Sequence, residues 1–132
     1  MSQDIAVSDL SLREKQSLFL RLLAELIQWV YSRDGLELTL ADGSIDPMRK
    51  FRSPDTGIPF VAEDAQHMRG GLHYQRLAQD LNLFMHGKWI QDGGHPEWTE
   101  IGVKWESLHP LCRWGGRFRD ANHFSLEHEG KA

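Results

Sequence analysis

The segment Ala78-Gln79-Asp80-Leu81-Asn82-Leu83 decides the fold, because its apolar and polar side chains alternate. Successive side chains of a β-strand point to opposite faces, so its leucines are predicted to face a core while Asp80 lies on the other face. The segment His123-Phe124-Ser125-Leu126-Glu127 alternates in the same way, with its phenylalanine and leucine inward. Two such strands predict a sheet with an apolar back and a front that carries Asp80 and His123.

An amphipathic helix is predicted before these strands, from about Ser11 to Arg33. Ser11 followed by Glu14 fits a capping box, in which each side chain satisfies a free backbone donor at the start of a helix. Apolar residues recur at helical spacing and form one stripe, namely Phe19, Leu22, Leu23, Leu26, Ile27 and Val30. Asp34-Gly35 is predicted to end the helix, and residues 36–40 alternate as a half-buried strand does.

The remaining segments complete a predicted α+β fold. Residues 41–72 contain repeated proline and glycine and predict a long irregular loop. After a strand at 78–84, we expect a turn at Gly87 into a strand at 88–90, a helix over about 98–108, and short strands at 111–114 and 123–126. The chain has no repeat and no linker, so a single domain is predicted over residues 1–132. Its N-terminal helix is expected to pack on a short, mainly antiparallel sheet.

The composition of the 132 residues is that of an ordinary globular domain, with 40% hydrophobic and 26% charged residues. The net charge of −4 argues against a nucleic-acid partner. The single cysteine, Cys112, excludes an internal disulfide and a cysteine-rich zinc site. The sequence has neither a secretory signal nor an apolar run of ~20 residues, so we expect synthesis in the cytoplasm and no membrane insertion. We also expect a monomer.

Three residues at the predicted front of the sheet form a candidate metal site. His73 lies seven residues before Asp80, just after two glycines, and can reach the same end of the sheet as His123. Two imidazoles and one carboxylate are a common catalytic zinc set, with the fourth position left for water. Asp120, three residues before His123, is close enough to act on that water as a general base. A histidine on a strand is more often a surface or hydrogen-bonded core residue, so the spacing alone leaves both interpretations open.

Two motifs resemble the signatures of the peptidase M15 family of zinc peptidases. Residues 71–80, Gly-Leu-His-Tyr-Gln-Arg-Leu-Ala-Gln-Asp, resemble Ser-x-His-x-x-Gly-x-Ala-x-Asp, with the His, Ala and Asp in register. Residues 114–124, Trp-Gly-Gly-Arg-Phe-Arg-Asp-Ala-Asn-His-Phe, are similar to Trp-Gly-Gly-x-Phe followed by Asp-x-x-His-Phe. The order of elements also agrees, and the resemblance covers about residues 12–128. It implies that His73, Asp80 and His123 bind one Zn²⁺ and that Asp120 is the catalytic base.

The chain departs from the family pattern at two positions of the first motif. Gly71 stands where the family has serine, and Arg76 stands where it has glycine. Arg76 is predicted to need a backbone conformation without positive φ, or to be strained. The family also tends to have an arginine after the first strand that grips a substrate carboxylate, and residues 41–46 contain none. Arg49, Arg52 and Arg76 are therefore the candidate substrate-binding residues.

The resemblance implies a zinc-dependent peptidase that hydrolyses peptide bonds in the stem peptides of bacterial peptidoglycan. The branch it favours is a phage or prophage endolysin of the L-alanyl-D-glutamate endopeptidase type, which acts on the cell wall after release. Two alternatives stay open: a D-alanyl-D-alanine carboxypeptidase, and a non-catalytic metal-bearing domain that binds wall fragments or a protein partner. In the enzymes, Glu127 or Ser125 is a candidate for orienting a ligand histidine. In the binding domain, Asp120 simply caps a turn.

Overall fold

The computed structural model describes residues 9–41, 50–52, 59–61, 72 and 75–132. Its helices are α1 (Leu12–Tyr31) and α2 (Pro96–Leu108). Its strands are β1 (Leu36–Leu40), β2 (Lys50–Arg52), β3 (Pro59–Val61), β4 (Ala78–Met85), β5 (Lys88–Trp89), β6 (Cys112–Trp114) and β7 (His123–Leu126). A short 3₁₀-helix, Gly115–Phe118, connects β6 to β7. The predicted fold class, a small α+β domain, is confirmed.

Five strands form an open antiparallel sheet in the order β1-β4-β7-β6, with β5 paired to the end of β4. β2 and β3 pair separately as a two-stranded antiparallel ribbon. Part of the segment predicted as an irregular loop is therefore strand, and the prediction was wrong there. Strands of three residues are too short for alternation to distinguish them from a loop.

The capping box at the start of α1 is confirmed. The Ser11 hydroxyl accepts a hydrogen bond from the Glu14 N–H at 3.1 Å, and the Glu14 carboxylate accepts one from the Ser11 N–H at 2.9 Å. The helix ends at Tyr31, two residues before its predicted end, and the Ser32 hydroxyl donates a hydrogen bond to the Trp29 carbonyl at 2.6 Å. Gly35, at φ +78°, instead forms the turn into β1.

α2 begins two residues before its predicted start. The ring of His95 accepts a hydrogen bond from the Glu97 N–H at 3.1 Å and caps the helix. Pro96 follows at the first helical position, where a missing N–H costs nothing. Because histidine is not among the usual capping residues, the sequence pattern did not locate this start.

Three aromatic rings join both helices to the sheet. The Trp105 ring of α2 meets Phe19 of α1 and Phe124 of β7 edge to face, at centroid distances of 5.8 and 6.1 Å. Its indole N–H donates to the carbonyls of Arg113 in β6 and Ser125 in β7, at 3.0 and 3.1 Å. Trp105 and Phe124 are fully buried, so this cluster fixes the helices against one face of the sheet.

The opposite face of the central strands is also buried. His123 and Ser125 of β7 and Asp80 of β4 each expose less than a tenth of their surface. Every residue of β7 is buried, in contrast to a strand with one solvated face. The predicted polar front therefore exists, and its groups lie in an environment with little access to water. In the described part of the chain, neither helix has the length and apolar character needed to cross a membrane.

Candidate metal centre

The pairing of β4 with β7 places two predicted ligands side by side. Asp80 lies directly opposite His123 in the antiparallel register, and directly opposite residues point to the same face. Nδ1 of His123 is 3.2 Å from Oδ1 of Asp80. Asp80 exposes 3% of its surface and His123 exposes 7%. A carboxylate and an imidazole thus lie together in a position with little access to water. Burying a charged group in such a position costs free energy unless the group is paired, so each of these two groups stabilises the other.

Asp120 reaches the same position through the turn that follows the 3₁₀-helix. Its backbone N–H donates to the Gly115 carbonyl at 2.8 Å, and its carbonyl accepts from the His123 N–H at 3.0 Å. These bonds bring Oδ2 of Asp120 to 3.9 Å from Nδ1 of His123. Half of the Asp120 side chain is exposed, so it lies at the mouth of the centre, whereas Asp80 lies at its base.

The two glycines after Trp114 allow this turn to close. A Cβ on Gly115 would overlap the Asp120 carbonyl oxygen and approach the Cβ of His123 to 2.6 Å. A Cβ on Gly116 would overlap the Trp114 ring. The indole N–H of Trp114 donates to the Ala121 carbonyl at 2.7 Å and holds the far side of the turn. The Trp-Gly-Gly segment is thus the structural support of Asp120 and His123.

The three residues can hold a metal ion. One ligand atom each from Asp80, Asp120 and His123 lies within 4.8 Å of the other two. Two carboxylate oxygens and one imidazole nitrogen suit divalent cations such as Zn²⁺ or Mn²⁺. A cation would also offset two carboxylates that otherwise lie close together.

The structure brings together only part of the predicted ligand set. Asp80 and His123 are adjacent, whereas His73 lies outside the described residues. Asp120, predicted as the base, is near enough to His123 to count as a metal-binding group itself. Its exposure separates it from Asp80 and suits a group that meets water or substrate.

The three candidate substrate-binding arginines lie in different parts of the chain. Arg49 is outside the described residues, and Arg52 is the last residue of β2. Arg76 is exposed and adopts φ +61°, the left-handed region that favours glycine. Of the two outcomes predicted for Arg76, the strained conformation is the one observed.

Neither residue proposed to orient a ligand histidine makes a hydrogen bond to His123 among the described residues. Oε1 of Glu127 accepts a hydrogen bond from Nη2 of Arg113 at 2.9 Å, so its carboxylate is engaged by β6. Ser125 is fully buried, and its hydroxyl has no hydrogen-bond partner in the described part of the chain. Neither residue is placed on the His123 ring by a hydrogen bond among these residues. Among the described residues, the carboxylate within hydrogen-bond distance of the His123 ring is that of Asp80, and a contact of Glu127 or Ser125 with His73 lies outside the described residues.

Cys112 and the other described histidines have structural contacts. Burial raises the pKa of the Cys112 thiol to about 12, which keeps the thiol protonated and disfavours a role as nucleophile. The His109 ring accepts a hydrogen bond from the Leu111 N–H, and burial lowers the pKa of His109. Nδ1 of His128 lies 2.9 Å from the buried Lys15 ammonium.

A cleft of about 340 Å³ opens beside Asp120. Its lining includes Asn82 of β4, Trp89 of β5 and Trp98 of α2, together with Arg119 and Asp120 of the turn. Arg119 is not among the site residues predicted from the sequence. Its position directly before the predicted base was the signal that could have identified it.

Searches against known protein families and against curated protein sequences find no match to this chain. The resemblance to the peptidase M15 family therefore rests on the two motifs. Of those motifs, the second is described in full, and it forms the turn that carries Asp120 and His123.

Proposed function

We propose that this protein is a zinc-dependent peptidase that hydrolyses peptide bonds in the stem peptides of bacterial peptidoglycan. The observation that carries the proposal is the position of Asp120. It belongs to the group of potential metal ligands and also lines the cleft. A substrate in this cleft would therefore contact a carboxylate that is able to transfer protons and that lies next to Asp80 and His123.

The chain's own residues supply most of the mechanism. Asp80 and His123 would hold the metal from the base of the centre, with His73 as the predicted third ligand. When bound, Zn²⁺ polarises a carbonyl and lowers the pKa of nearby water to ~7. Asp120 accepts a proton from the attacking water and returns it to the amine that leaves. Trp89 and Trp98 line the cleft and would contact a peptide bound there.

The endopeptidase and the carboxypeptidase differ in their products, and one digestion separates them. Purified peptidoglycan is incubated with zinc-loaded wild type, with and without a chelator, and the fragments are analysed by mass spectrometry. We expect new N-terminal D-glutamate and C-terminal L-alanine, and no cleavage in chelator. Release of free D-alanine instead would identify the carboxypeptidase.

A non-catalytic binding domain gives a third result. It would sediment with peptidoglycan and release nothing, even with the metal bound. The His123→Ala variant is the matched control, because it should lose metal and cleavage together. Full zinc occupancy in His123→Ala would contradict the proposed ligand set.

A further inference from the structure

Arg119 is the only cationic residue among the described residues that line the cleft. The next residue, Asp120, lines the same cleft and belongs to the candidate metal centre. A ligand that reaches Asp120 from the cleft therefore lies beside Arg119. Apart from Asp120, the rest of the described lining is uncharged, so Arg119 is the one described lining residue able to form an ion pair with an anionic ligand.

The guanidinium of Arg119 makes no hydrogen bond or ion pair with any described residue. Its neighbours in the chain differ in this respect. Arg113 pairs with Glu127 at 2.9 Å, and Arg117 pairs with Glu106 at 2.8 Å. Arg113 and Arg117 thus form ion pairs that connect elements of the fold, whereas Arg119 makes no such contact with the described residues.

The backbone conformation at position 119 does not favour an arginine. The residue ends the 3₁₀-helix at φ +65° and ψ +34°, a left-handed conformation that favours glycine. Its N–H bonds the Gly115 carbonyl, a contact that any residue except proline can make. A charged side chain thus occupies a strained position in which a glycine would be relaxed.

We propose that Arg119 binds a carboxylate of the peptide substrate and determines specificity for it, an inference that rests on the proposed peptidase function. Guanidinium groups pair with carboxylates through two parallel hydrogen bonds, which fix orientation as well as position. Trp89, half exposed and stacked on Phe84, provides an apolar wall in the same cleft. The bound carboxylate would lie next to the bond that Asp120 acts on.

Stem peptides offer two sources of this carboxylate. One is the α-carboxylate of a D-glutamate linked through its side chain, and the other is the C-terminal carboxylate. An endopeptidase cutting before D-glutamate would use the first, and a carboxypeptidase would use the second. Synthetic stem peptides with either group amidated separate the two sources.

The kinetic test compares wild type with Arg119→Gln and Arg119→Gly, all loaded with zinc. We expect KM to rise about ten- to hundredfold in both variants, the size typical of a lost charged hydrogen bond. Amidation of the recognised carboxylate should raise KM for wild type to a similar degree and should add little in the variants. Arg21→Gln, on the exposed side of α1 and away from the cleft, is the charge control and should keep the wild-type KM.

Two further measurements test whether Arg119 binds substrate rather than stabilising the fold, and test this role separately from the proposed peptidase activity. Arg119→Gly should melt at the wild-type temperature or above it, because glycine relaxes the turn. Calorimetric titration with the tripeptide L-Ala-D-Glu-L-Lys should show weaker binding to Arg119→Gln than to wild type. Weaker binding without cleavage by wild type would overturn the peptidase function alone. Unchanged KM and unchanged tripeptide affinity in both Arg119 variants would overturn the role of Arg119.

Discussion

Asp120 differs from the two residues beside it in its access to water. Its side chain is half exposed, whereas Asp80 and His123 are buried. A proton acceptor has to meet both water and the leaving amine, so exposure at the mouth of a cleft suits this role. A side chain that only holds a metal does not need to be exposed to water.

Asp120→Asn should separate the role of base from that of ligand. Asparagine keeps the shape of the side chain and cannot accept the proton, so turnover should fall by ~10²–10⁴-fold while zinc stays bound. Zinc content, thermal melting and peptidoglycan solubilisation are measured beside wild type. Loss of zinc in this variant would assign Asp120 as a ligand, and activity within a few-fold of wild type would assign the base to another residue.

Arg76 illustrates a residue held in a conformation that its side chain disfavours. Because Arg76 has φ +61°, Arg76→Gly should raise the free energy of unfolding by about 0.5–1 kcal/mol. Glycine removes the cost of the left-handed conformation, but it also loses more backbone entropy on folding, which offsets part of this gain. Urea denaturation measures the change. The matched control is Arg21→Gly in the middle of α1, which should lower stability by about 1 kcal/mol. Destabilisation by Arg76→Gly would mean that its side chain makes a contact worth more than the strain.

At the scale of elements, the connection from β6 to β7 determines the geometry of the centre. Trp114 lies over Gly116 of the 3₁₀-helix and over Gly102 of α2, and a Cβ at either glycine would overlap its ring. α2, the 3₁₀-helix and β6 therefore pack as one unit. The position of Asp120 depends on this packing as much as on its own side chain.

Gly115→Ala should disturb this unit at its tightest point. The added Cβ meets the Asp120 carbonyl and the His123 Cβ, so we expect a stability loss of about 1–3 kcal/mol and weaker metal binding. Denaturant unfolding and zinc titration measure the two effects. Gly94→Ala is the control, because its new Cβ meets only the end of the Asp92 side chain, at 3.3 Å. Equal zinc affinity in Gly115→Ala and wild type would show that the turn does not position the ligands.

At the scale of the whole molecule, the candidate metal centre lies at the middle of the sheet. β4 and β7 are the two central strands of this sheet, so we expect the side chains that could hold a metal to belong to the part of the fold that opens only in global unfolding. Binding there should couple to global unfolding.

Metal removal should therefore lower the thermal stability of the entire protein. At free zinc 100-fold above its Kd, binding adds about 2.7 kcal/mol, which corresponds to a Tm shift of roughly 5–10 °C. Melting curves with zinc and with chelator measure the shift, and His123→Ala should show none. An equal zinc-dependent shift in His123→Ala would place the binding site elsewhere.

Local chemistry explains what the sequence predicted correctly. The capping box of Ser11 and Glu14 and the apolar stripe of α1 act within a few residues, so they locate the helix without knowledge of the fold. Alternation in β4 and β7 likewise places Asp80 and His123 on one face. The start of α2 at His95 and the ribbon of β2 and β3 lacked such local signals.

The sequence by itself thus determined the fold class and the residue types able to bind a metal, because side-chain periodicity is a property of each segment alone. Only the tertiary structure decided that Asp80 faces His123, since strand register depends on contacts between segments 43 residues apart. It also decided that Arg119 lines a cleft beside Asp120. A cavity is formed by several elements together, and no single segment contains the information that defines its walls.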